Sequence, residues 1–151
     1  MTDLEGPMKI VVGVDGSEAS VEALRQAQRL AVPLEAEIEA LACWEYPNTY
    51  SSYVAVGIGR FKEHAEQLLE DALTKAFGRE RPHNVDARLV EGFARTILIE
   101  ASKNADLLVL GPRGHGGFAG LLLGSVTSAC IAHAHCPVIA ARGRQAAESR
   151  L

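Results

Sequence analysis

Aromatic side chains are scarce in this 151-residue chain, at 5% of the sequence, although 48% of it is hydrophobic. Ala, Val, Leu and Ile supply the bulk, which suits tightly packed layers of helix and strand and excludes a disordered chain. Cysteine is limited to Cys43, Cys130 and Cys136, an odd number at unrelated spacings, so no disulfide framework is expected. No apolar run approaches the ~20 residues that cross a bilayer, and the opening MTDLEGPMKI lacks the apolar stretch of a signal peptide. Basic clusters are missing too: 15 Lys and Arg stand against 19 Asp and Glu, for a formal charge of -4, and the cations are scattered. Neither nucleic acid nor membrane is expected as a partner. The expected setting is cytoplasmic, with reduced thiols.

The length suits one domain spanning residues 1–151, with a core over about 8–142 and a polar tail over 143–151. A chain of that size buries about two-thirds of its unfolded surface. Along it, strand and helix signals alternate. Lys9 to Val14 is a β-branched run that ends in the turn Asp15-Gly16-Ser17, where Ser17 can cap a helix carrying Ala23, Ala27 and Leu30 on one face. Glu37 to Trp44 reads as a second strand, leading into a polar, tyrosine-containing loop over Glu45 to Val56. Phe61, Ala65, Leu68, Ala72 and Ala76 then recur at helical spacing up to Gly78.

Val85 to Val90 follows as strand three. Ala94, Ile97, Leu98 and Ala101 mark a third helix, for which Asn104 suits a left-handed cap. Ala105 to Leu110 is an almost uninterrupted apolar strand, as expected where both faces are covered. A fourth helix is expected from about Ser125 to His135, and a last strand from Pro137 to Ala141. This β-α-β-α-β-α-β-α-β order implies an α/β fold: one doubly wound, five-stranded, mostly parallel sheet with helices on both faces.

Glycine is concentrated where strand four meets the last helix. Between Gly111 and Gly124, six of fourteen residues are glycine. Glycine has no Cβ, so main-chain N–H groups there can approach a ligand closely. The loop feeds into a helix beginning Ser125-Val126-Thr127, whose unpaired N–H groups and partial positive charge favour an anion. Two familiar phosphate motifs fail. A P-loop needs Gly-Lys before Ser or Thr, but Leu123-Gly124-Ser125 stands here. Gly114-x-Gly116-x-x-Ala119 fits a loose dinucleotide fingerprint, yet the helix starts too late and no acid follows about twenty residues on.

The spacing that fits is Gly111-x2-Gly114-x9-Gly124-Ser125. With VVGVDGSEAS near the start, ADLLVLGPRGHGG before the loop and CPVIAAR near the end, it is similar to the ATP-binding branch of the universal stress protein family over about residues 8–142. The resemblance implies strand order 3-2-1-4-5, in which strands one and four are neighbours and their carboxyl ends open a crevice at the switch point. It places Asp15 near the ribose hydroxyls and Gly13, Val14 and Cys43 around the adenine. Leu110, Gly111, Arg113, Gly114, Gly124, Ser125, Val126 and Thr127 would line the ribose-phosphate channel. It further implies ATP or another adenine nucleotide as ligand, Mg2+ carried mainly on phosphate oxygens, and a homodimer built on the edge strand Val138–Ala141. Pro112, Cys43 and Trp44 depart from the family pattern, Pro112 by removing an N–H and the other two by altering the adenine wall.

Plainer readings stand beside these. Asp15 also suits a helix-capping turn, and Arg113 and His115 suit a solvated loop. Tyr46, Tyr50, Tyr53 and Trp44 fit either a lid over the base or a surface loop. His133-x-His135-Cys136 invites a metal reading, but two helical residues two apart do not share a face and no further ligand cluster accompanies them. No Gly-x-Ser-x-Gly elbow is present, and no general base stands out. A regulatory, nucleotide-binding stress-response module is the expected function; a slow ATPase or nucleotidyl-transferring enzyme on the same fold is the alternative.

Overall fold

The computed structural model describes residues 6–45, 51–112 and 124–142. Five parallel strands form one sheet in the order β3-β2-β1-β4-β5. They are β1 (Lys9–Gly13), β2 (Glu37–Trp44), β3 (Val85–Glu91), β4 (Leu107–Leu110) and β5 (Val138–Ala140), connected through α1 (Glu18–Leu34), α2 (Ser51–Phe77), α3 (Ala94–Ala101) and α4 (Ser125–His133). The expected strand order is therefore present. Register places Gly13 opposite Leu41 and Val12 opposite Val109, so β1 runs down the middle between β2 and β4.

Side-chain alternation sorts the strands onto two faces. Ile10, Val12, Ile38, Ala40, Ala42, Val85 and Val109 pack with Val21, Leu24, Ala27, Leu69 and Leu73 of α1 and α2. Val11, Leu41, Leu108 and Leu110 pack with Leu98 of α3 and Cys130 of α4 on the other face. Where the short α3 does not reach, that second face carries charge instead: Glu39 bridges Lys9 at 3.4 Å and Arg88 at 3.5 Å across three strands. Parallel sheets seldom tolerate bare apolar faces, and here ionic side chains finish what a helix leaves open.

Several local expectations change. The stretch expected to stay a loop to Val56 is already helical from Ser51. Val54, Ile58, Phe61 and Ala65 continue the helical period through Gly57 and Gly59, whose low propensity obscured it. On α1 the buried stripe runs Ala23, Ala27, Ala31, while Leu30 is 37% exposed. That helix ends on Glu35 in the left-handed conformation, although glycine is the usual choice there. Asn104 is not a left-handed cap; it closes a 3-10 turn, Ser102–Asn104, after α3. The last helix stops at His133, two residues early.

The reason for the 3-10 ending is Ser102, whose hydroxyl is buried. It donates to the Ile99 carbonyl at 2.5 Å and accepts the His135 N–H at 2.9 Å, joining α3 to the turn before β5. Removing it leaves the His135 N–H without this partner. Ser102→Ala should therefore lower stability by about 1–3 kcal/mol, read as a lower urea midpoint at unchanged slope. An unchanged midpoint would show that solvent satisfies His135.

Candidate nucleotide cleft at the carboxyl ends of the strands

β1 and β4 separate where the winding direction reverses, and a cleft of about 510 Å3 opens above them. That lies within the range of small-molecule sites, about 300–1,000 Å3. Gly13, Val14, Asp15, Cys43, Leu110, Gly111, Gly124, Ser125, Val126 and Thr127 all line it. These ten come from four separate stretches of sequence, and each was singled out from the sequence. Arg113, Gly114 and His115 lie outside the described residues, as do Tyr46, Tyr50 and the tail 143–151; Tyr53 falls in the first turn of α2.

One end of the cleft is built to hold negative charge. Ser128 N–H bonds the Gly124 carbonyl at 2.9 Å, so the N–H groups of Ser125, Val126 and Thr127 fall before the helix's own hydrogen bonding begins. Together with the helix dipole they amount to roughly half a positive charge facing the cleft. Gly124 N–H donates to Pro112 O at 2.7 Å and closes the base of the glycine loop. The Thr127 hydroxyl, expected as a donor to phosphate, is instead buried and donates to the Gly111 carbonyl at 2.8 Å. It is a tether between α4 and the end of β4. Ser125, by contrast, is exposed.

Gly111 itself has no room for a side chain. A Cβ there would stand 2.7 Å from the Ala19 Cβ and 3.0 Å from the Ala19 carbonyl carbon, in the first turn of α1. Strand four and α1 thus approach backbone to backbone beneath the cleft. Asp15 sits at the turn from β1 into α1. Its Oδ1 accepts the Ser17 N–H at 2.9 Å and the Ser17 hydroxyl at 2.5 Å, and Ser17 in turn caps α1 by accepting Ser20 N–H. The turn-residue reading of Asp15 is correct as far as it goes. Its exposed Oδ2 has no hydrogen bond among the described residues and points the remaining acceptor capacity outward from the turn.

The opposite wall is apolar. Leu41, Ala42, Ala65, Leu68, Ala94 and Leu98 complete it. Ala65 and Leu68 read from sequence as ordinary helix-core positions, and only the crossing of α2 over the sheet brings them here. Val14 N–H bonds Leu41 O at 2.9 Å, and no main-chain hydrogen bond joins β1 to β2 beyond that point. Cys43 faces the same side as Leu41, two residues on, and lines the cleft past the last β1–β2 register pair, Gly13 and Leu41. Burial pushes the Cys43 thiol up to about 11, with Arg88 opposing and Glu45 adding to the rise. The wall is therefore neutral at physiological pH.

The match to known proteins is extensive. The family model described as "Universal stress protein family" matches residues 7–142. Universal stress protein Rv2623 of Mycobacterium tuberculosis (strain ATCC 25618 / H37Rv) is 36% identical over 151 residues, covering 92% of this chain and 49% of the relative. The chain thus spans about half the length of the first curated relatives it matches. Among solved structures, the universal stress protein UspA from Lactobacillus plantarum aligns with TM-score 0.75 at 24% identity, covering 89% of this chain and 97% of that one. A universal stress protein in complex with cAMP aligns with TM-score 0.58 at 26% identity, covering 89% and 96%.

Two measurements check this geometry. Gly111→Ala should cost about 1–3 kcal/mol of stability, because the obstacle is main chain that cannot rotate away; a neutral effect would mean that α1 and β4 separate freely. The alkylation rate of Cys43 should rise tenfold per pH unit from pH 7 to 9.5 without a plateau, since only thiolate reacts. A plateau near pH 8.5 would show an unshifted thiol.

Proposed function

This chain belongs to the universal stress protein family, and from that premise we propose that it binds an adenine nucleotide in the β1/β4 cleft and acts as a regulatory stress-response module. The observation that carries the reading is the convergence of ten residues from four stretches on one cleft whose two ends differ in chemistry. An apolar slot lined by Val14, Leu41, Ala42 and Cys43 suits a purine. Asp15 suits a ribose diol, which can donate to it, and not a phosphate, which would repel it. The α4 N-terminus suits the phosphates. A relative of comparable size holds cAMP, an adenine nucleotide.

ATP is the form this reading favours, because the spacing Gly111-x2-Gly114-x9-Gly124-Ser125 resembles that of the family's ATP-binding branch. Asp15 is the one carboxylate lining the cleft among the described residues. Mg2+ would accordingly be carried on phosphate oxygens and not in a protein cage. Asp15 and Cys43 are also the only ionisable side chains in that lining. Asp15 belongs to the ribose end and Cys43 to the base end, so neither serves as a base at a terminal phosphate. Binding, not turnover, is what these groups support. Occupancy would be read out in a cytoplasmic homodimer paired along the edge strand β5, whose outer side has no strand partner among the described residues.

Calorimetric titration with ATP, ADP, AMP and cAMP tests this directly. At least one should bind, with Gly114→Val abolishing and Asp15→Ala weakening the interaction by about 1–3 kcal/mol, the worth of hydrogen bonds to a charged group. Absence of binding by all four removes the proposal. Multiple-turnover phosphate release that Gly114→Val abolishes would replace it with the enzyme reading.

A further inference from the structure

Outside the cleft, two thiols share one apolar layer. Cys130 lies on α4 and is fully buried, while Cys136 is half-buried one residue before Pro137 leads into β5. Both belong to the cluster between α4 and the β4–β5 side of the sheet, with Leu108, Ala134 and Val138. Cys136 and Val138 have the same strand parity, so Cys136 faces the layer into which Cys130 projects. Five residues separate them, and the path between turns sharply: Ala134 N–H bonds Cys130 O at 2.8 Å, after which Ala134 is extended with ψ 156.

The geometry points to Cys130 and Cys136 as a redox-responsive pair that closes to an intrachain disulfide on exposure to a low-molecular-weight disulfide such as oxidised glutathione. Cys136, the more accessible, reacts first. Its thiolate attacks one sulfur of glutathione disulfide and expels one glutathione thiolate, leaving a mixed disulfide. The Cys130 thiolate then attacks Cys136 Sγ and expels the second. Two protein thiols and one glutathione disulfide become one protein disulfide and two glutathione thiols, so atoms and electrons balance. The charge of Cys136 acts on Cys130, consistent with their closeness. Burial raises both thiols, Cys130 to about 11 and Cys136 further pushed up by Asp106. Exchange is accordingly slow at neutral pH and suited to sustained oxidation over brief pulses.

The closed pair would tie the last turn of α4 to the start of β5. Cys43, near the end of β2 and outside the cluster that holds Cys130 and Cys136, is an internal control. The test is to incubate the full chain with oxidised glutathione at pH 8.5, block free thiols with iodoacetamide without reductant, and digest with trypsin. Residues 114–142 contain no Lys or Arg before Arg142, so both thiols fall on one peptide. That peptide should lose the mass of two hydrogens and resist alkylation until reduced, with Cys43 still alkylated. Cys130→Ala should retain glutathione on Cys136, and Cys136→Ala should leave Cys130 unmodified. Persistent glutathionylation of Cys136 in the unsubstituted chain, alkylation of both thiols, or disulfide-linked dimers would overturn the pairing.

Discussion

The bond from the Thr127 hydroxyl to the Gly111 carbonyl holds together the parts on which the cleft depends. On its own such a bond contributes about 1 kcal/mol. Its position gives it more consequence than that. Gly111 ends β4 against the first turn of α1, at a distance that only a missing side chain permits. Thr127 then fixes the first turn of α4 to the same point. Two helix N-termini and the ends of two strands are thereby held around one space, and the N–H groups of Ser125 and Val126 face it. A larger residue at Gly111, or loss of the hydroxyl at Thr127, would loosen the anion-binding end without touching the apolar wall.

Much of this was legible in the sequence because the signals were redundant. The alternation of β-branched runs with helical periods dictates a doubly wound sheet, and the 3-2-1-4-5 order followed from resemblance and appears in the structure. Asp15, Gly111 and Ser125 stood out because they sit at strand ends and at a helix start, where glycine and polar turn residues break the apolar pattern. Ala65, Leu68, Ala94 and Leu98 did not stand out, since an apolar residue on a helix looks the same whether it faces the core or a ligand. The start of α2 was hidden by two glycines. Ser102 gave no signal at all, because a serine near a helix end is common and only its burial between α3 and the β5 turn makes it structural. Thr127 lines the cleft as expected from the resemblance, while its hydroxyl donates to the Gly111 carbonyl: both a phosphate and a carbonyl accept from a hydroxyl, and the sequence does not say which is nearer.

The two ends of the cleft solve different problems. Under the proposed reading, a flat, neutral purine would meet apolar residues and a thiol kept protonated by burial. The charged phosphates would meet main-chain N–H groups and a helix dipole. Stability comes from elsewhere, chiefly from the layer of α1 and α2 on the sheet, while the other face is finished with ion pairs around Glu39.

The most direct test of the central claim, that the β1/β4 crevice is the nucleotide site, is an amide chemical-shift map of the isotope-labelled chain titrated with ATP. The largest shifts should fall on Gly13, Asp15, Cys43, Gly111, Ser125 and Val126, with the α1–α2 outer face unmoved. Saturable shifts confined to any other surface, with these six unchanged, would contradict it.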